Sequence, residues 1–267
     1  MGILNKIKSI NKYYSQAKKL TNGLGVVKYI YLTYHNKYFK SWVFNVHINI
    51  SQIGNKKVIV RSSTVDVETL QSTFIHKYHL PPFSLPREPI IIDLGCNVGY
   101  TLAHYNHLFT GSKLIGVEMD SDNYNLAKLN AKCIILNKAI SVKNEIVYYD
   151  KRKHEDAYSI RKTESNLESN SFVSVDSITL QHLFDKYLQD SENVDFLKMD
   201  IEGEELSIFR DNMRWLNRVE ALNIEVHADE PELFNILELL KNHGFKAWKD
   251  KNHFSSIMAI RNDINQV

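Results

Sequence analysis

The chain has 267 residues, with 33 basic and 31 acidic side chains and a formal charge of +2. That length provides one or two domains with a sizeable core. Hydrophobic residues at 43% and charged residues at 24% exclude long intrinsic disorder, a collagen and a disulfide framework. Cys96 and Cys133 are the two cysteines, so a reduced, cytoplasmic compartment is expected. No apolar run reaches the ~18 residues of a membrane span. Residues 1–16 lack the apolar segment and cleavage site of a secretory signal.

The charge is unevenly spread. Residues 1–65 hold eleven Lys and Arg and no Asp or Glu, and the first carboxylate is Asp66. From residue 90 onward there are 20 basic and 28 acidic residues. Either the basic segment is attracted to the acidic remainder, or it meets phosphate or an anionic surface.

In chain order, residues 1–20 place apolar positions at helical spacing between lysines, a basic amphipathic helix. TNGLG at 21–25 punctuates it, and the aromatic-rich residues 26–40 fit a helix or a strand. Residues 41–50 alternate as a strand, and Gly54-Asn55 turns into a hairpin partner at 57–62. A helix is expected over 67–78, ending before a proline-rich connector that is the best domain boundary. Residues 1–88 therefore read as a basic N-terminal extension and 89–267 as a second unit.

Beyond the connector, strands and helices alternate. Strands are expected at 89–95, 113–119, 133–140, 194–200 and 221–227, and helices at 99–109, 121–131, 178–189, 203–217 and 231–242. A polar hairpin ends near 147–150, and residues 151–174 are polar and unpatterned, a solvated loop or a lid carrying His154, Glu155 and Asp156. Two last strands, near 245–250 and 254–261, form an antiparallel pair. This is an α/β, doubly wound, seven-stranded sheet.

Asp93-Leu-Gly95-Cys-Asn97-Val-Gly99 directly follows a strand and opens a helix, where doubly wound sheets bind ligands. Gly95 allows a tight turn and close approach to a ligand, and Gly99 close packing of the helix start on the strand. Glu118 ends the next strand, 25 residues after Asp93, and can accept both hydroxyls of a ribose. A dinucleotide loop would carry three glycines for a pyrophosphate. An acid leading the loop repels phosphate and suits a cationic ligand, so S-adenosylmethionine (SAM) fits better than NAD.

IIDLGCNVGYT (91–101), GVEMD (116–120), NKAIS (137–141), VDSITLQHLF (175–184), FLKMDIEGEEL (196–206) and NIEVH (223–227) resemble the FkbM-type SAM-dependent methyltransferases, in that family's order. The resemblance covers roughly residues 60–260 and implies a Rossmann-like class I methyltransferase sheet. It also implies that Asp93, Gly95, Cys96, Asn97, Gly99 and Thr101 surround the methionine part of SAM. Glu118 and Met119 would then hold the ribose, and Asn137 and Ala139 would approach the adenine. Cys96 stands where small residues such as Ala are common.

Methyl transfer to an alcohol needs alignment and a proton acceptor. Lys198, Asp200 and Glu202 alternate on one strand end, and Asn223, Glu225 and His227 on its expected neighbour. Asp200 or His227 reads as the acceptor, Glu202 as a group near the substrate, and Lys198 as the partner of Glu225 or another carboxylate. A second reading has Asp200, Glu202 and His227 hold Mg²⁺, whereas the favoured one needs no metal. A purely structural reading makes Lys198–Glu225 a buried pair and Glu202 a helix cap. Tyr148, Tyr149, Trp215 and Trp248 are expected to pack, and His104 and His107 to lie on the surface.

Residue 200 leads Asp-Ile-Glu-Gly rather than an adenine N-methyltransferase tetrapeptide, and no Pro-Cys nucleophile is present. Carboxylates by the acceptor repel nucleic-acid phosphates, so nucleic acid is disfavoured. The family points to O-methylation of a sugar, glycolipid or other small molecule. The alternatives are an RNA methyltransferase using the basic extension, and a non-catalytic SAM-binding or scaffold protein. The extension could also make peripheral contact with a membrane.

Overall fold

The computed structural model describes residues 3–39, 42–151, 160–161, 171–251 and 253–262. Most of residues 151–174, with His154, Glu155 and Asp156, therefore lie outside the described residues.

Helices α1 (Ile3–Leu20) and α2 (Leu24–Tyr38) pack on each other, separated at Gly23. Strands β1 (Asn45–Ile50) and β2 (Lys56–Arg61) form the expected antiparallel hairpin, turning through Gly54 (φ 67°) and Asn55 (φ 58°). Helix α3 (Asp66–Gln71) runs on into a π-helical turn, Ser72–His76.

These N-terminal elements share one apolar core with the sheet that follows. Leu20, Tyr29, Ile48, Val60 and Leu70 belong to the same buried cluster as Ile91, Tyr100 and Leu126. Hydrogen bonds cross the same junction. The Tyr100 hydroxyl donates to the Ile59 carbonyl at 2.8 Å, the Ile59 N–H donates to the Asn130 amide oxygen at 2.8 Å, and the Arg61 guanidinium donates to Asn123 at 2.7 Å.

The second part is the doubly wound sheet. Its strands are β3 (Ile90–Leu94), β4 (Lys113–Glu118), β5 (Ile134–Asn137), β10 (Phe196–Met199), β11 (Ala221–Glu225), β12 (Phe245–Lys249) and β13 (Ser256–Arg261). Their spatial order is β12-β13-β11-β10-β3-β4-β5. All neighbours run parallel except β13, antiparallel to both β11 and β12. Helices α4 (Tyr100–Leu108), α5 (Ser121–Asn130), α6 (Leu180–Tyr187), α7 (Glu205–Arg210) and α8 (Glu230–Asn242) connect the strands. The central strands are apolar on both faces, as a covered parallel sheet requires. Ile91, Ile92, Leu94, Leu197, Met199, Leu222 and Ile224 are fully buried. The strand order reverses between β3 and β10, so the carboxyl ends of these two strands frame the crevice.

Three expectations need correction. The strand expected at 133–140 breaks after Asn137: β6 (Ala139–Ile140) leaves the main sheet and pairs in parallel with β9 (Phe172–Ile178). With β7 (Ile146–Asp150) and β8 (Ile160–Arg161) it forms a second sheet, ordered β6-β9-β7-β8. The helix expected over 203–217 is only α7 followed by a 3₁₀ turn, Arg214–Arg218. His104 is buried, 2% exposed, rather than on the surface, and its Nδ1 lies 3.0 Å from His79 Nε2. His107 is exposed; Tyr149 and Trp215 are buried and Trp248 packs against the core, as expected.

Candidate active site

The loop after β3 is fixed by its neighbours. Gly95 adopts φ 76°, and a Cβ there would lie 1.7 Å from the Asp200 carbonyl oxygen. The close approach to the end of β10 by itself demands glycine at this position. Gly99, at φ 80°, packs against Ala127 of α5 rather than against a strand: its Cβ would lie 2.9 Å from that residue's Cα. The N–H groups of Gly95 and Cys96 both donate to the Val117 carbonyl, at 2.9 and 3.0 Å, tying the loop to β4.

Glu118 ends β4 with its carboxylate between two backbone donors. Asn97 N–H reaches Oε2 at 2.9 Å and Asp120 N–H reaches Oε1 at 2.8 Å. Burial pushes its pKa up to about 7, against the pull of those two hydrogen bonds. Each oxygen keeps a lone pair for a further donor. Asn137 secures the next strand end by donating to the carbonyls of Glu118 and Met119 at 3.0 and 2.9 Å.

Two cavities open beside this loop. The first, about 500 Å³ with open solvent included, is lined by Gly95, Asn97, Glu118, Met119, Lys138, Ala139 and Asp200, among others. The second, about 910 Å³ on the same measure, is lined by Glu68, Thr69, Ser72 and Thr73 around α3 and by Tyr78 and His79. Its remaining walls include Cys96, Tyr100, Thr101, Lys198, Glu225 and His253. Both cavities include Gly95, Asn97 and Asp200 in their walls, so Asp200 stands where they meet.

Asp93, Gly99 and Asn137 are not among the residues lining either cavity. Asp93 is fully buried beneath the loop, accepting from the Thr101 hydroxyl and lying 3.5 Å from Lys198 Nζ. Lys198 is also 3.3 Å from Asp200. Of the carboxylates expected to partner it, Lys198 pairs with Asp200 rather than Glu225, and it also pairs with Asp93, because β3 and β10 set Lys198 directly opposite Asp93. Burial favours the neutral amine, but the charges of Asp200, Asp93 and Glu225 outweigh it and hold Lys198 firmly protonated.

His227 sits among four carboxylates. Nε2 lies 3.3 Å from Glu202 and 3.9 Å from both Asp200 and Glu225, and Nδ1 lies 3.2 Å from Glu205. Burial lowers its pKa, but the Glu205 hydrogen bond and the Glu202, Glu205 and Asp200 charges raise it to about 9. At neutral pH it is charged and has no free lone pair to receive a proton. Asp200, Glu202 and His227 each place a ligand atom within 4.8 Å of the others and could hold a divalent cation. The cation would first have to displace the His227 proton.

The sequence also leaves several residues of this region unflagged. Glu205, fully buried, accepts from Ile201 N–H at 3.1 Å and Gly203 N–H at 3.0 Å. It braces the left-handed turn at Glu202 (φ 56°) and Gly203 (φ 109°) that leads into α7. His253 lies 3.7 Å from Glu225 and packs edge-on against Tyr78. Asn223 is committed elsewhere, donating to the Tyr78 carbonyl at 2.8 Å and accepting from Ser256 at 2.8 Å. The run of acids in DIEGEE was the one signal for Glu205; no local pattern marks Tyr78, His79 or His253.

The donor set of the first cavity is chemically specific. Three carboxylates, Glu118, Asp200 and Glu202, line it against one cation, Lys138, a balance that suits a diol and a cationic centre better than a phosphate. The methyltransferase FkbM domain model matches residues 93–247. The chain belongs to the FkbM methyltransferase family. It is therefore a methyltransferase with a Rossmann-like fold, and its seven-stranded sheet is the class I arrangement.

The FkbM chain is similar in fold to fibrillarin in its complex with Nop5p: 12% identity, 70% of this chain and 78% of that one covered, TM-score 0.41. It is similar to the N-terminal domain of human METTL16 in complex with SAH: 14%, 74% and 69%, TM-score 0.36. It is also similar to M. capricolum TrmK in complex with S-adenosyl-homocysteine: 10%, 66% and 63%, TM-score 0.35. No curated protein matches the chain in sequence.

Proposed function

We propose that this FkbM methyltransferase takes its methyl group from SAM and transfers it to a hydroxyl oxygen of a sugar, glycolipid or other small polyhydroxylated acceptor. The observation that carries this reading is the meeting of two cavities at Asp200, one acid-lined beside Glu118, the other polar and lined by hydroxyls, carboxylates and imidazoles. When bound, SAM supplies an electrophilic methyl on a sulfonium.

Glu118 would accept hydrogen bonds from the ribose hydroxyls, and Met119, Ala139 and Ile140 of the same cavity would hold the base. In the second cavity Thr69, Ser72, Thr73 and Glu225 offer hydrogen bonds to acceptor hydroxyls. Asp200 takes the proton that the alcohol loses, since His227 and Lys198 are already protonated. Burial and the Asp200 charge raise the Glu225 pKa, and Glu225 lines only the second cavity, whereas Asp200 lines both. Lys198 positions Asp200 and keeps it beside the loop.

The test is a screen with methyl-labelled SAM against monosaccharides, glycolipid extracts and RNA, with the product bond identified by mass spectrometry. Label on a sugar or glycolipid oxygen supports the reading. Label on RNA, or on nitrogen, would overturn it.

A further inference from the structure

Helix α2 is apolar on two sides. Val26, Tyr29 and Leu32 are buried inward. Leu24, Val27, Tyr31, Tyr34 and Tyr38 recur at steps of three and four, and all are 41% to 78% exposed. This second stripe runs the ~22 Å length of the helix. It is continued by Phe39, Trp42 and Val43, which are 59%, 77% and 63% exposed. Tyr31, Tyr34, His35, Phe39, Trp42 and Phe44 line a groove of about 810 Å³, open solvent included.

Lys28 and Lys37 leave α2 on either side of the stripe, each about 90° from its centre round the helix axis. Both are exposed, Lys28 reaching the His47 carbonyl at 2.9 Å and Lys37 lying over the Tyr38 ring.

We propose that this face docks on an anionic lipid surface, with the aromatic stripe at headgroup depth and the lysines among the phosphates. Tyr and Trp favour that depth because their rings are apolar and their polar tips stay wet. Lysines flanking an apolar helical stripe are the composition of a helix lying in the interface plane. The charge favours lipid over a second copy of this chain. The stripe belongs to a 65-residue segment with eleven cations and no carboxylate, so stripe-to-stripe pairing would bring like charges together. The proposal is independent of the methyl acceptor.

The experiment is flotation of the full chain with vesicles of phosphatidylcholine alone or mixed with phosphatidylglycerol. Binding is expected on the mixed vesicles alone and should fall away as salt rises to about 0.5 M. Replacing Lys28 and Lys37 together by Gln should weaken it roughly 30-fold. Tyr31→Ser with Tyr34→Ser should release the chain at low salt while it remains folded, the unfolding midpoint falling only slightly because the rings are 54% and 41% exposed. Brominated lipid should quench the tryptophan fluorescence of the unaltered chain, and Trp42→Phe should remove most of that quenching, since Trp42 is 77% exposed whereas Trp215 is only 2% exposed and Trp248 is half-buried on β12 of the main sheet, away from α2. Equal flotation on both vesicles, or none, would refute the proposal. So would self-association in sedimentation velocity that the tyrosine substitutions abolish, which would make a second copy the occupant.

Discussion

Glu118 gives the cofactor site a signature in pH. In the ligand-free protein, burial raises its pKa to about 7. A ribose diol donating to both carboxylate oxygens favours the anion, so SAM binding should release a proton wherever Glu118 is still protonated. Below pH 7 each unit of pH then costs about 1.4 kcal/mol, or about ten-fold in affinity. From about pH 8 to about pH 6 the dissociation constant should rise roughly ten-fold, most of it below the midpoint. Titration calorimetry in two buffers of different ionisation enthalpy reads both the affinity and the released proton. Glu118→Gln should bind SAM weakly at every pH and release no proton there. A flat profile in the unaltered protein, or an unchanged one in the variant, would refute the assignment of Glu118 to the ribose.

Other predictions address the scaffold. Gly95→Ala should cost at least about 2 kcal/mol in denaturant unfolding, because a left-handed backbone acquires a Cβ that collides with the Asp200 carbonyl; SAM binding should fail with it. His227 has its pKa raised to about 9 from 6.5, so its contribution to stability is complete below pH 6.5 and is lost as pH rises through 9. With the side chain 29% exposed, that loss should be about 2 kcal/mol, and His227→Gln should flatten the decline measured by denaturant between those values. Asp66, fully buried, accepts from the Arg61 guanidinium at 2.7 and 3.0 Å and from its N–H at 2.8 Å. Asp66→Asn should cost about 3 kcal/mol and raise KM for the acceptor more than for SAM, since α3 walls only the second cavity.

The sheet was legible because apolar strands such as PIIID and KLIGVE alternate with helices, a pattern that fixes a parallel sheet and its crossover direction. The first cavity was legible for a related reason. Gly95, Asn97, Glu118 and Met119 come from two adjacent strand–loop units, so the chemistry lies in contiguous motifs. The second cavity was not. Its wall joins residues 68–79, Tyr100 and His253, which only tertiary packing brings together, and Glu68, Ser72 and Thr73 look like the polar face of any short helix. Strand β6 was hidden as well: two residues carry no period, and its partner β9 begins in a polar stretch. His104 was misjudged because its helix carries little apolar asymmetry, and a buried pair with His79 leaves no trace in local pattern.

The most direct test is methyl transfer by Asp200→Asn measured beside its affinity for SAM, using an acceptor that the unaltered protein methylates on oxygen. The substitution keeps the shape of the junction between the cavities but removes the proton acceptor. SAM affinity should stay within a few-fold while turnover falls about 10²- to 10⁴-fold. Turnover that survives in Asp200→Asn with SAM affinity intact would contradict the placement of the reaction at the meeting point of the two cavities.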